Sequence, residues 1–596
     1  MDSKIALLLD RKFKLATVII LLLLIALVAY YMVLLNQAER LWGYLPMLIY
    51  GLGWLLVLVI FSKFYFRDRQ QLRYLSLSSL SGLLLYLGFP TMPFTILMFV
   101  AFVPLLAMES EISKKETKPF WKVWRYAYSS FVIWNILSTF WVGNTSFAPG
   151  IVAMTVNALL MSIPFMLYHV CKKYFSQKFQ WVIFAAYWIS FEKLHQWWEL
   201  SWTWLTLGNS FAMIPSVVQW YEYTGVFGGT LWIIVMNFTV WNLFQNKEQL
   251  KLKSYLPLVG LLIFPIIISF ILYTTYIEKG VNQEVLILQP NYEPHYKKFK
   301  IPRNEQYKQF MNLARSGLKE TTDYLLFPET SFGALRINII ENEGLIRKLR
   351  QLSTSYPKLK LVLGVNAHKR FKEGEEMPEA TIREYGTGSK KIYYEAYNAA
   401  IQICKEDSVS FYKKSILVPG AEIFPYKNLL GFIKPLVDQL GGTLAGNGTQ
   451  ESRSVFWNET NELGVAPVIC YESIYGEYCT EYVRKGANAI FIMTNDGWWD
   501  DTAGHKQHHH FARLRAVETR RAVARSANTG ISSFIDQRGD VVSKTAYGEK
   551  AALLGTIKMN DQITFYTLWG DMIARIAFFA AIVFLLNSVA KGLMKK

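Results

Sequence analysis

Three short stretches in the second half of the chain carry side chains that could share one reaction. They are Phe327-Pro328-Glu329-Thr330, Tyr412-Lys413-Lys414-Ser415-Ile416-Leu417-Val418-Pro419 and Val468-Ile469-Cys470-Tyr471-Glu472. Each sets a reactive group in or beside an apolar, strand-like run. A carboxylate, an ammonium and a thiol together can run acyl transfer through a thioester. The thiol attacks, the carboxylate takes its proton, and the ammonium faces the developing oxyanion. Each group also has an ordinary alternative. A lone cysteine is most often a small buried hydrophobe, Glu329 could be a strand-end carboxylate in solvent, and Lys413-Lys414 could be a solvated basic pair. The sequence places no histidine near Cys470 in the right context, so Glu329 is the candidate base, provided burial raises its proton affinity. The backbone N–H of Tyr471 could be a second oxyanion donor, and Glu422 could hold the Lys414 ammonium in place.

The elements that must position these groups alternate. Strand-like runs recur at Val285–Leu288, Tyr324–Phe327, Leu361–Val365, Asn398–Ile403, Val465–Cys470, Ala489–Thr494 and Ser532–Ile535. Helical stretches lie between several of them, at Arg303–Leu318, Glu343–Leu352 and Gln507–Arg525. Strands alternating with helices predict an α/β layer architecture, whose sites lie at the carboxyl ends of strands.

The rest of the chain is of a different kind. Of 596 residues, 52% are hydrophobic and 15% aromatic, and the apolar residues are concentrated in residues 1–277 and near 566–590. This predicts three parts: a membrane domain over 1–277, an extramembrane catalytic domain over 278–565, and a C-terminal transmembrane helix with its tail over 566–596. Ten candidate spans lie near 15–35, 44–62, 75–92, 94–108, 126–143, 150–171, 180–196, 223–244, 255–276 and 566–590. The first follows Lys4, Arg11, Lys12 and Lys14, is long enough to span hydrocarbon, and has no small-residue cleavage site after it, so it reads as a retained helix.

The net charge of +18 does not indicate nucleic acid, because many Lys and Arg residues sit in short loops between apolar runs. One set holds Lys63, Arg67, Arg69 and Arg73, then Lys114, Lys115, Lys118, Lys122 and Arg125, then Lys172, Lys173 and Lys178, then Lys247, Lys251 and Lys253. The opposite set holds little beyond Arg40 and Lys193. The excess marks the cytoplasmic side, so both termini are expected in the cytoplasm and residues 278–565 on the far side, the periplasm in a bacterium.

Three further segments invite readings. His505-Lys506-Gln507-His508-His509-His510 places His505 and His509 at a metal-compatible spacing, but no HExxH glutamate is present, and no metal is expected. The tryptophans between 197 and 220 read as an interfacial belt, or as a surface for lipid head groups. Leu429–Ile433, Leu436, Val437 and Leu440, closed by Gly441-Gly442, form an apolar patch expected to be a lid or arm that dips into the membrane. The four cysteines show no metal or disulfide pattern.

Taken together, the Glu, Lys and Cys segments resemble the carbon–nitrogen hydrolase (nitrilase) superfamily. The membrane half narrows the resemblance to the apolipoprotein N-acyltransferase family. Further segments carry it: Leu80 to Phe89-Pro90, Gln219 through Thr224-Gly225-Val226-Phe227-Gly228 to Asn237, Thr494-Asn495-Asp496-Gly497-Trp498, and Arg515-Ala516-Val517-Glu518 to Asn528-Thr529-Gly530. The resemblance covers roughly residues 75–590. It implies Glu329 as general base, Lys414 as oxyanion-stabilising lysine and Cys470 as nucleophile. It implies Glu422 and Glu472 at supporting acidic positions, and Tyr397, Asn398 and Trp498 lining the site. The implied fold is a polytopic α-helical membrane domain plus a four-layer αββα sandwich. The implied reaction is ping-pong and needs no cofactor. A phospholipid gives its sn-1 acyl chain to the thiol, and the thioester passes it to the α-amino group of a diacylglyceryl-cysteine at a lipoprotein N-terminus, in the bacterial inner membrane. Two departures stand out. The spans near 15–35 and 44–62 are extra to the family's eight, and the stretch Tyr292 to Phe299 lacks a tryptophan the family often has there. A membrane-anchored nitrilase-type amidase is the alternative, because water and an amine attack the same thioester. A transporter is disfavoured by the scarcity of charge within the spans.

Overall fold

The computed structural model describes residues 10–246, 251–356, 358–386, 391–406, 408–426, 445–460 and 462–594. The lid expected at Leu429–Gly442 lies outside the described residues. The first half is helical: α1 (Arg11–Gln37), α2 (Leu45–Ile60), α3 (Arg69–Leu87), α4 (Val103–Lys115), α5 (Phe120–Thr139), α6 (Phe147–Cys171), α7 (Gln180–Leu194), α8 (Val226–Gln245) and α9 (Leu256–Thr275). Asp10 caps the first, its carboxylate accepting from the N–H groups of Lys12 at 3.0 Å and Phe13 at 3.2 Å. Among the described residues, six helices are long and apolar enough to cross a membrane: Arg11–Gln37, Thr95–Lys115, Phe147–Tyr174, Val226–Gln245, Leu252–Thr275 and Met572–Leu593. Leu45–Ile60 is apolar but shorter.

The second half builds two stacked sheets. The strands are β1 (Val281–Gln289), β2 (Tyr324–Leu326), β3 (Leu335–Arg336), β4 (Lys360–Arg370), β5 (Ile382–Tyr385), β6 (Ile392–Ile403), β7 (Ser410–Lys413), β8 (Phe456–Trp457), β9 (Gly464–Ile469), β10 (Ala487–Thr494), β11 (Val523–Ala527), β12 (Ser533–Ile535), β13 (Val541–Lys544) and β14 (Ala551–Met559). One sheet runs β14-β1-β2-β4-β6-β5, with β3 on β4 and β7 on β6, and the other runs β13-β12-β11-β10-β9-β8. Val285, Ile287, Leu326 and Val362 of the first sheet meet Val468, Ile490 and Ile492 of the second in one buried core. The alternate residues Leu286, Leu288, Leu325 and Leu363 face outward onto α10 (Arg303–Gly317) and α11 (Gly344–Ser355), as the two-residue period of a strand requires. On the far side lie α12 (Gly476–Arg484) and α13 (Ala503–Thr519). This is the expected αββα sandwich.

Two sequence readings change here. The helix expected to reach Arg525 stops at Thr519, because Arg520 turns left-handed at φ +51° and residues 523–527 join the sheet. The tryptophan-rich loop is not simply a membrane belt. Trp204 is 1% exposed and packs on Trp141 at 4.6 Å and on Phe511 of α13 at 5.3 Å. Trp197, by contrast, is exposed. Burial between the two halves, rather than an interface with lipid, fixes Trp204.

That seam is polar at its centre. Gln507 Oε1 accepts from the indoles of Trp141 at 3.1 Å and Trp204 at 2.7 Å, and its Nε2 donates to the carbonyl of Pro90 at 2.6 Å. Arg520 donates to Glu222 at 2.6 Å and Gln219 at 2.7 Å. Lys193 donates to Asp571 at 2.6 Å, just before α14 (Met572–Leu593). Buried donors and acceptors so paired fix one orientation of the two halves.

Candidate active site

Glu329, Lys414 and Cys470 all lie just beyond the carboxyl ends of strands β2, β7 and β9. Lys414 and Cys470 are the first residues past theirs. Cys470 has φ +48° and Thr330 has φ +50°. Side-chain-bearing residues rarely hold this left-handed geometry, and such strain clusters at functional sites. The Glu329 loop also needs a bare neighbour, since a Cβ on Gly364 would lie 2.6 Å from the Cα of Glu329.

The three segments converge. The Lys414 ammonium lies 3.4 Å from Glu329 Oε1 and 2.8 Å from Glu422 Oε2. Asn398 Nδ2 bridges the two carboxylates, donating to Glu329 Oε1 at 2.7 Å and Glu422 Oε1 at 2.8 Å. The backbone holds this cluster from behind, with the Lys414 N–H donating to the Asn398 carbonyl at 2.8 Å. Lys414 is 1%, Glu329 6% and Cys470 8% exposed. Burial, and next the charge of Glu329, push the Cys470 thiol well above its usual range, while Lys414 pulls it down. Burial works against the Lys414 charge, but Glu422 and then Glu329 outweigh it, so the ammonium persists. The thiol at rest is therefore protonated, beside a carboxylate and a fixed cation. This arrangement suits nucleophilic attack assisted by a base.

Glu472 lies outside that cluster. Its carboxylate accepts from the N–H groups of Ser415 at 2.7 Å and Ile469 at 2.9 Å, and from the hydroxyls of Tyr412 and Tyr478, both at 2.6 Å. It thereby clamps the Lys414 loop to the Cys470 turn, and burial raises its pKa against those donors. The Tyr471 hydroxyl donates to the Ser201 carbonyl at 2.9 Å, tying the residue after the thiol to the helical half. Tyr397 and Asn398 are successive residues of one strand and so face opposite ways. Asn398 points into the cluster, whereas Tyr397 packs in the outer core with Phe327 and Leu363 and lines a separate cavity of about 400 Å³ with His368 and Arg383. Trp498 stacks on Phe299 at 6.1 Å and meets His295 edge-on at 5.0 Å. A phenylalanine thus stands at the end of the stretch that lacks the tryptophan.

Two groups near the thiol escaped the sequence reading. Lys298, 2% exposed, donates to the Glu329 carbonyl at 3.1 Å and to Thr330 Oγ1 at 2.7 Å. Burial lowers its pKa to about 8, against the pull of Glu329 and Cys470. In the sequence it is one of two adjacent lysines, with nothing to mark it as buried. The second group corrects the statement that no histidine lies near Cys470. His508, on α13, approaches the Cys470 carbonyl with Nε2 at 3.2 Å and Asp496 with Nδ1 at 2.9 Å. The two histidines at metal-compatible spacing part company, with His505 beside Asp501 at 3.0 Å and His509 beside Ser533 at 3.1 Å. Cys470, Asp496 and His508 do present ligand atoms within 4.8 Å of one another. The Arg525 guanidinium pairs with two of these groups, 2.6 Å from Asp496 and 3.0 Å from His508.

Arg525 also sets a stability test. Burial opposes ionisation of Asp496, but Arg525 and His508 outweigh it and hold the carboxyl well below the usual range. Arg525→Met leaves this buried charge short of its partner, and the expected cost is about 3–5 kcal/mol. A depressed pKa gives stability that is present above the unfolded value and lost as pH falls through the folded one. The difference in thermal midpoint between wild type and variant should therefore be large at neutral pH and shrink on acidification. A constant difference would show that Asp496 is not the group involved.

Comparison with known proteins agrees with this architecture. Residues 81–239 match the family model for the apolipoprotein N-acyltransferase N-terminal domain, and residues 288–565 match that for carbon-nitrogen hydrolase. An apolipoprotein N-acyltransferase of Chlorobaculum tepidum is 27% identical over 529 residues, covering 86% of this chain and 96% of the relative. One of Geobacter metallireducens is 26% identical, covering 83% and 91%. The chain belongs to the apolipoprotein N-acyltransferase family. Its long apolar helices mark it as membrane-integral. A solved amidase of Nesterenkonia sp. AN1 aligns at 14% identity and TM-score 0.32, covering 49% of this chain and 98% of the amidase. Helices α1 and α2 precede the part of the chain that the apolipoprotein N-acyltransferase model matches.

Proposed function

We propose that this lipoprotein N-acyltransferase works by a ping-pong mechanism in which Cys470 carries the acyl chain. Glu329 takes the thiol proton as sulfur attacks the ester carbonyl of a phospholipid. The tetrahedral oxyanion forms beside the Lys414 ammonium and the Tyr471 N–H. Collapse expels the lysophospholipid alkoxide, which leaves with the proton returned by Glu329, and a thioester remains. The α-amino group of a diacylglyceryl-cysteine then attacks that thioester, loses its proton to Glu329, and frees the thiol as an N-acyl lipoprotein departs. Glu422 and Asn398 hold the Lys414–Glu329 pair, Glu472 joins the two loops, and Trp498 with Phe299 offers an aromatic wall to the lipid.

The observation that carries this reading is the convergence of Glu329, Lys414 and Glu422 beside a buried thiol, in a sandwich bolted through Gln507, Arg520 and Tyr471 to apolar helices. The change from helices to sheets and back supports domain limits at 1–277, 278–565 and 566–596. The loop charges support a bacterial inner-membrane location with both termini cytoplasmic and the sandwich periplasmic.

Purified protein incubated with phospholipid should gain the mass of one acyl chain, labile to hydroxylamine, and should lose it when a diacylglyceryl-cysteine peptide is added. An adduct that water discharges as fast as the peptide would instead indicate a hydrolase. Glu329→Gln should slow adduct formation by about 10²–10⁴-fold, the usual contribution of a general base. A wild-type rate in that variant would move the base elsewhere.

A further inference from the structure

The helical hairpin α1–α2 precedes residues 81–239, the part of the chain that the N-terminal family model matches, yet its turn reaches the rim of the active site. The Gly43 N–H donates to Asp500 Oδ2 at 2.9 Å. Asn144 Nδ2 spans the same junction, donating to the Gly43 carbonyl at 3.0 Å and the Trp499 carbonyl at 3.2 Å. On the other side, the Tyr296 hydroxyl donates to Asn36 Oδ1 at 2.7 Å and Lys300 Nζ to Glu39 Oε1 at 3.0 Å. The turn is itself anchored. The Trp42 indole donates to the Met32 carbonyl at 3.1 Å, Tyr44 packs on Phe140 at 5.1 Å, and Tyr50 stacks on Phe147 at 5.1 Å while its hydroxyl donates to the Phe147 carbonyl at 3.0 Å.

Both rim segments held by this turn bear on the site. Residues 295–300 carry Phe299 and Lys298, the latter bonded to the Glu329 carbonyl. Residues 498–500 carry Trp498, whose carbonyl accepts from Thr145 Oγ1 at 3.3 Å and lies 3.2 Å from His295 Nε2. Asp500 has φ +58°, a conformation that costs a side-chain-bearing residue free energy unless its surroundings hold it. The carboxylate that accepts from Gly43 is one such hold.

We propose that the N-terminal hairpin is a brace built onto this chain, and that Asp500 and Tyr296 are positioning residues through which it fixes the Trp498–Phe299 wall for the lipid substrate. The brace touches neither the thiol nor its partners. Its loss loosens substrate binding and leaves the chemistry intact.

The proposal rests on the acyl-transfer reading, and the test separates the two. Rates of acyl adduct formation are measured against phospholipid concentration in mixed micelles for wild type, Asp500→Gly, Tyr296→Phe and the double variant. Glycine accepts φ +58° without strain, so Asp500→Gly removes the tie and not the turn. The expected result is a KM increase of about five- to tenfold in each single variant, the scale of one hydrogen bond, with the saturated rate within about twofold of wild type. The double variant should show less than the product of the single effects, because both ties serve one brace. If wild type forms no adduct, the acyl-transfer reading fails. If wild type acylates and the variants keep its KM, or lose the saturated rate with KM unchanged, the brace is overturned. Thermal midpoints measured alongside confirm that each variant is folded.

Discussion

Cys470→Ala is expected to abolish formation of the hydroxylamine-labile acyl adduct while leaving the protein folded and in the membrane. Sulfur supplies the bond that holds the acyl chain, so no neighbouring group can compensate. The other cysteines, Cys171, Cys404 and Cys479, are all buried. Cys479 is turned toward the Glu472 carbonyl at 3.9 Å, away from the Lys414–Glu329 pair. The substitution deletes one atom from a site that is 8% exposed, so the thermal midpoint should change little. Cys470→Ser is a sharper version. Burial and the Glu329 charge already resist ionisation of the thiol, and a hydroxyl is far harder to deprotonate, so the serine variant should be nearly as inactive. Intact mass after incubation with phospholipid decides the matter. A labile adduct on the alanine variant would assign the nucleophile to another residue.

Lys414→Met should have the second largest effect. Removing one oxyanion donor costs about 2.7–4 kcal/mol, or roughly 10²–10³ in rate. A further loss arises in this site. The ammonium lies between Glu329 at 3.4 Å and Glu422 at 2.8 Å. Without it, the two carboxylates are joined only through the Asn398 amide, at 2.7 and 2.8 Å, and the base loses the group that fixes its position as the oxyanion loses its donor. The loss should therefore reach or exceed the upper end of that range. Single-turnover acylation measures it, and a wild-type rate would remove Lys414 from the mechanism.

The layered fold was legible because its signals are local. Leu286, Leu288, Leu325 and Leu363 alternate with Val285, Ile287, Leu326 and Val362, and each set found its own core. Helix ends were read less well. The α13 stretch keeps a helical composition through Arg525, but pairing of Val523–Ala527 with β10 outweighed local propensity. Strand β14 went unread, since Ala551–Met559 shows no strong alternation and owes its place to nine residues of register with β1.

The sequence by itself determined which half of the chain is apolar, that the other half alternates strands with helices, and that Glu329, Lys414 and Cys470 stand at strand ends. These follow from composition and short-range periodicity. Only the tertiary structure decided which charges are buried together. Lys298 is an ordinary lysine until the fold removes its water and sets it on the Glu329 loop, and His508 is one of a histidine run until α13 turns it toward Asp496 and the Cys470 carbonyl. Gly43 and Asp500, hundreds of residues apart, become partners only because a helical hairpin folds back to the rim of the sandwich. Solvent exclusion and long-range pairing set what a titratable group does, and neither is written in a residue's neighbours along the chain.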